Sequence, residues 1–143
     1  MATNTLFIPN NTIIFVVNLS QTRKLTESNY LNWSIQVKSF LSRFRLFWYL
    51  DGTHPCPPPT KIINNESVPN PEYETWICQD QLIFGALVGT LDQTITPHII
   101  EAKTSQHIWK TLETTFANKS NGHILHIKNR LRAITKRDDQ SVT

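Results

Sequence analysis

The chain has 143 residues, a formal net charge of +3, 39% hydrophobic and 17% charged residues, and only two cysteines. That length suits one domain or a core with an arm, and four Trp with seven Phe are too many aromatics for a fully disordered polymer. Cys56 and Cys78 make neither a disulfide framework nor a metal quartet, and no apolar run approaches the roughly 18 residues of a membrane span, so the expectation is a cytoplasmic, reduced setting with no membrane partner.

Residues 1–20 are rich in Asn and Thr, with one β-branched run from Thr12 to Val17. No second convincing strand pairs with it, so residues 1–24 read as an extended, partly disordered arm. No basic region precedes the Ile13–Val17 run, so a secretory signal is not expected. The stretch Ser28–Gly52 organises the rest. Tyr30, Trp33, Val37, Phe40, Leu41, Phe44 and Trp48 recur at three- and four-residue steps, which predicts one amphipathic helix packed against the remainder of the chain. Ser28 or Asn29 supplies its N-cap oxygen, and Asp51-Gly52 its stop, with Gly52 free to turn left-handed.

From Thr53 to Pro71 the chain holds six of its eight prolines. Proline lacks the amide donor and disfavours helix before it, so a surface loop of polyproline character is expected, a spacer rather than a ligand for an SH3- or WW-type groove. A second helix follows, with Asn70 as cap, Pro71 at its first position, and Glu72 and Glu74 at the positive end of its dipole. Its stripe of Tyr73, Trp76, Ile77, Ile83, Phe84, Leu87, Val88 and Leu91 contains one carboxylate, Asp80. An unpaired carboxylate there is costly, so Asp80 needs an indole N–H, a helix N-terminus or an Arg as partner. No second acid, histidine or nucleophile joins it on that face, so the structural reading outweighs a catalytic one.

Asp92 caps a short third helix from Gln93 to about Ile100, and Thr104 or Ser105 a fourth, with Ile108, Trp109, Leu112 and Phe116 inward. Asn118–Gly122 reads as a break. A fifth helix then runs from about His123 to Thr135, with Ile124, Ile127, Leu131 and Ile134 inward. Residues 118–143 carry a net +4 while residues 1–117 carry −1, so the entire positive excess sits on this last segment. Lys128, Arg130, Arg132, Lys136 and Arg137 are the candidate nucleic-acid contacts. Phosphate neutralisation would make such binding salt-sensitive and independent of sequence. No exposed aromatic interleaves these bases, so stacking on single-stranded bases is not indicated, and a merely solvated face is an equal reading.

Other chemistry is not indicated. The four glycines form no phosphate loop, and neither G-x-S-x-G nor H-E-x-x-H occurs. His123 and His126 have a metal-compatible spacing, but no Cys, Asp or Glu nearby completes a site. No cofactor, small-molecule substrate or enzymatic activity is expected.

Five segments in order carry a family likeness. They are L-x-x-S-N-Y-L-x-W at Leu25–Trp33, Y-L-D-G-T-x-P-x-P-P at Tyr49–Pro58, Y-E-T-W-x-x-x-D at Tyr73–Asp80, S-x-x-I-W-x-x-L-x-x-x-F at Ser105–Phe116, and L-x-x-I-x-K-R-D-D-Q-S-V-T at Leu131–Thr143. Together they resemble the gag region of plant copia-type LTR retrotransposons over roughly residues 13–143. The resemblance implies an all-α fold: a compact, capsid-like bundle of about five helices over residues 25–143, with the arm and Pro-rich loop attached. Tyr30, Trp33, Asp51, Gly52, Trp76, Asp80, Trp109, Leu112 and Phe116 match its signature positions, and these define the fold rather than catalyse. Such domains self-associate into particles that enclose the element's RNA. The family's longer members continue into more helices, a zinc knuckle and enzymes, none of which is present here, so the resemblance implies a truncated or degenerate copy. Three functions remain open: assembly with itself, nucleic-acid binding through the basic helix, or a folded relic with neither.

Overall fold

A computed structural model describes residues 5–8 and 12–140, apart from the side chains of residues 6–8, 120–123 and 140. The fold is mostly helical. Four α-helices, α1 (Tyr30–Arg43), α2 (Trp48–Asp51), α3 (Pro71–Gly89) and α4 (Ser105–Gln140), are accompanied by a 3-10 turn at Thr96–Ile99. Two antiparallel hairpins, β1 (Thr5–Ile8) with β2 (Thr12–Phe15) and β3 (Thr60–Ile63) with β4 (Glu66–Pro69), complete it. The expected all-α bundle of five helices is therefore corrected on both counts.

The first hairpin is one such correction. Thr5 pairs with Phe15 and Ile8 with Thr12, so the β-branched run does have a partner strand. The hairpin is fastened to the helices through Gln79, whose buried amide imitates a neighbouring strand. The Phe15 N–H donates to Gln79 Oε1 at 2.7 Å, and Gln79 Nε2 donates to the Phe15 carbonyl at 2.9 Å. Residues 1–4 and 9–11 of the expected arm lie outside the described residues.

Tyr30, Trp33, Val37 and Leu41 bury the inner face of α1. Asn29 stands at its N-cap but does not cap it. Its Oδ1 instead accepts from the Thr26 N–H at 2.7 Å, and its Nδ2 donates to the Lys24 carbonyl at 2.9 Å, so it closes the preceding loop. The expected single helix to Gly52 breaks at Arg45, which adopts φ +57°. The Leu46 N–H bonds the Leu41 carbonyl at 2.8 Å and the Arg45 N–H bonds that of Ser42 at 3.0 Å, a full Schellman stop with Leu41 and Leu46 buried together. The break resets the register. Leu46, Tyr49 and Leu50 turn inward, while Trp48, expected on the inner stripe, is 49% exposed. Gly52 ends α2 at φ +84°, in the left-handed conformation expected of it.

The Pro-rich loop is in part a hairpin. Asn64 and Asn65 both have positive φ, +50° and +65°, and join β3 to β4 in the two-residue turn that fits the strand twist. Its base is closed by the Asn70 N–H on the Pro59 carbonyl and by Asn70 Nδ2 on that of Pro58, both 2.9 Å. Asn70 then caps α3 by accepting from the Glu72 N–H at 3.2 Å. The hairpin stands clear of the core, with Ile62 and Ile63 exposed.

The core lies where α1, α3 and the first turns of α4 meet. Trp33 and Trp109 stack with ring centroids 5.6 Å apart, and Phe47 packs edge-on to Trp109. Trp33 Nε1 donates to Thr90 Oγ1 at 3.1 Å, and Thr90 in turn donates to the Leu87 carbonyl, so the indole polar atom is satisfied at the end of α3. A short parallel bridge between Leu25 and Leu91 ties the approach to α1 to the exit from α3. The expected third helix contracts to the 3-10 turn, because the Asp92 carboxylate folds onto Thr94 and Pro97 sits in the middle of the segment.

The largest correction concerns the C-terminal third. The expected break at Asn118–Gly122 is absent, and α4 runs unbroken for 36 residues. Its first turns are capped by Thr104, whose Oγ1 accepts from the His107 N–H, and bury Ile108, Trp109, Leu112 and Phe116. Ile127, Leu131 and Ile134, expected to face inward, are 44%, 58% and 56% exposed, and Ile124 is half-buried. The helix leaves the core after Ala117 and projects beyond it. At about 1.5 Å per residue the free part reaches roughly 35 Å.

Candidate functional site

Among the described residues Asp80 is the one carboxylate buried in the core, at 1% exposure. Its Oδ1 accepts from the Ser105 N–H at 3.2 Å, and the Ser105 hydroxyl donates to the Asp80 carbonyl at 2.9 Å. A carboxylate thus meets the positive end of α4, one of the partners its position demands. Burial pushes its pKa up, against the lowering effect of the Ser105 hydrogen bonds. Tyr49, also buried, is raised to about 12 by burial and by the nearby Asp80 charge. Oδ2 is buried without a hydrogen-bond partner. Ser105 is the partner of this residue through both bonds, and the evident work of Asp80 is to fasten α4 to α3.

The other signature positions fall into two groups. Tyr30, Trp33, Trp76, Trp109, Leu112 and Phe116 are buried with Asp80 in the core. Asp51 and Gly52 shape the end of α2 instead. Burial works against the Asp51 carboxylate, but hydrogen bonds from the Thr53 N–H and hydroxyl at 2.9 and 2.7 Å outweigh it and lower its pKa. A methyl group on Gly52 would stand 2.6 Å from the Gln106 amide nitrogen.

Among the clefts on the surface, two lie beside signature residues. One, of about 380 Å³, runs between α1, α2 and α4 over Tyr30, Phe47 and Trp109, with Lys38, Lys110 and Glu113 at its rim. Tyr30 there is raised to about 12 by burial and by Glu113. The other, of about 340 Å³, lies at the base of the β3–β4 hairpin over Tyr49, His54, Pro57 and Trp76, with Glu72 at its edge. Trp76 Nε1 donates to the His54 carbonyl at 2.9 Å, which holds the Pro-rich segment against the helix. Neither cleft assembles a nucleophile with a base. Among the described residues no group of three or more His, Cys, Asp or Glu is placed to hold a metal, and no helix is long and apolar enough to cross a membrane. His126 is exposed, and the side chain of His123 lies outside the described residues.

Lys128, Arg130, Arg132, Lys136 and Arg137 are all exposed on the projecting part of α4. Lys128 and Arg132, expected from the sequence to flank a packed stripe with Arg130 and Arg137 across from it, stand beside an open one. At 100° per residue, Lys128 flanks the Ile124/Ile127/Leu131/Ile134 stripe on one side, Arg130 and Arg137 on the other. This surface, apolar along its centre and basic at both edges, is the most distinctive one described. The sequence located its charges; what it lacked was any sign that none of the described residues covers the apolar centre. The exposed Ile62 and Ile63 were missed altogether, although Asn64-Asn65 after the β-branched pair is a turn signal.

Residues 37–143 match the family described as the gag-polypeptide of LTR copia-type. The chain is also similar to two Arabidopsis thaliana proteins, the Retrovirus-related Pol polyproteins from transposons RE1 and RE2. It is 40% identical to the first over 129 residues, and 42% identical to the second over 130. These alignments cover 89% and 90% of the chain, which spans only 9% and 8% of the relatives' length. No solved structure matches it. The matched region takes in the second half of α1, all of α3 with its buried Asp80, and all of α4. The chain belongs to the copia-type LTR retrotransposon gag-polypeptide family.

Proposed function

We propose that the chain is a non-enzymatic, capsid-like structural module that self-associates in the cytoplasm into particles around the element's RNA. One observation carries this reading: the apolar stripe of α4 projects into solvent with Ile127, Leu131 and Ile134 about half exposed. A helix with an uncovered apolar face is stable only where tertiary or intermolecular packing covers it. Residues 25–143 then form the assembling unit, and residues 1–24 its N-terminal arm. Cys56 and Cys78 are both free and exposed, which suits a reducing compartment.

The second reading is nucleic-acid binding without assembly, favoured by the five exposed bases on α4. Size-exclusion chromatography with light scattering, over a wide concentration range and with or without RNA, decides between them. Mass that rises with concentration, or that RNA raises beyond one chain per strand segment, supports assembly. A monomer that binds RNA only at low salt supports the second reading. A monomer indifferent to both is a folded relic.

A further inference from the structure

The projecting part of α4 is a surface of two chemistries, and the same molecule carries its complement. Along α4 the centre is Ile127, Leu131 and Ile134, with Lys128, Arg130 and Arg137 at the edges and no acid between residues 118 and 137. Between α2 and α3 stands the β3–β4 hairpin, with Ile62 78% and Ile63 47% exposed. Glu66 lies beside its turn, and Glu72 and Glu74 lie on the first turn of α3 at its base. From Thr60 to Thr75 these three carboxylates face a single base, Lys61. We propose that copies associate head to tail, the free half of α4 of one chain seating on the hairpin and α3 N-terminus of the next.

Charge decides against the simpler alternative. If two α4 helices paired along their stripes, the edges would bring Lys128, Arg130 and Arg137 of one copy against the bases of the other, with only Asp138 and Asp139 at the end of the helix to offset them. Like charges at the edges of a helical seam oppose pairing. Cross-strand pairing puts Ile63 on the same face as Glu66, with Ile62 on the opposite one, so on that face the same bases meet carboxylates and the apolar centre meets Ile63. RNA would satisfy the bases but leave the apolar centre wet. A heterologous contact of this kind propagates, into a ring if the rotation closes and a filament if it does not. The inference rests on the self-association reading above and specifies its surfaces.

The test uses the full chain with two surface variants, Lys128→Glu with Arg130→Glu, and Glu66→Lys with Glu72→Lys, each checked for native circular dichroism. Light scattering is expected to show association weakened roughly tenfold in either variant, and restored when the two are mixed or all four changes are combined. Wild-type protein that stays monomeric at every concentration, with and without RNA, removes both the self-association reading and this inference. Wild-type protein that associates while the Glu66/Glu72 variant associates equally well overturns the head-to-tail surfaces alone. An α4 variant that loses RNA binding but keeps its size distribution overturns them too, in favour of a nucleic-acid face.

Discussion

Arg45 occupies the position after α1 where glycine is the usual residue, at φ +57°. A side chain in that conformation is strained by about 1–2 kcal/mol, partly offset because glycine loses more freedom on folding. Arg45→Gly is therefore expected to stabilise the fold by about 0.5–1 kcal/mol in chemical denaturation. Gly52, at φ +84° and pressed by Gln106, behaves in the opposite way. Gly52→Ala is expected to destabilise by about 1–3 kcal/mol, read as a lower denaturation midpoint. Asp80 gives a pH signature. Its folded pKa is raised above the ordinary 3.8, so the folded state holds the proton more tightly than the unfolded one. Its contribution is whole below that value and is lost as pH rises through the folded pKa. Asp80→Asn keeps an acceptor for the Ser105 N–H and cannot ionise. Thermal melts should show a smaller fall in stability from acid to neutral pH in the variant than in the parent, and an unchanged slope would mean that Asp80 is not the group responsible.

At the scale of elements, what was legible was what is encoded locally. Asn70, Pro71, Glu72 and Glu74 announce α3, and its boundaries follow. Thr104 announces α4 just as clearly. Elements decided by competition between weak signals were not legible. Asn118–Gly122 has turn-forming residues but no proline, and a glycine inside a helix costs only about 1 kcal/mol, so flanking helical turns on both sides carry α4 through. Amphipathicity gave the stripe on the second half of α4 but not what covers it, since periodicity reports a face and never a neighbour. Within the candidate surface, the five bases were legible from charge alone, whereas the complementary hairpin was hidden under six prolines. The hairpin itself is open to test. Two strands alone are marginal in water, and Asn65 already takes a conformation glycine adopts freely. Asn65→Gly is expected to slow amide exchange across Thr60–Pro69 without changing the rest of the molecule.

For the whole molecule, net +3 conceals an uneven distribution, with the positive excess on the projecting helix and carboxylates at the hairpin and α3 N-terminus. Association that depends on this layout should weaken as salt rises through the range where the screening length falls below about 10 Å, and sedimentation at graded ionic strength measures it. Salt-insensitive association would place the driving force in the apolar centre alone. The Trp33–Trp109 stack allows that loosening to be told from unfolding. Two indoles with centroids 5.6 Å apart and planes inclined by 28° share their excited states. Their coupling produces a paired signal in circular dichroism that exists only while the root of α4 is docked on α1. Trp48, half exposed on α2, contributes fluorescence that a dissolved quencher reaches in the folded monomer. The chain thus carries two optical labels, one for internal docking and one for its outer surface, and a particle that falls apart into intact subunits will change neither the first nor the fold it reports.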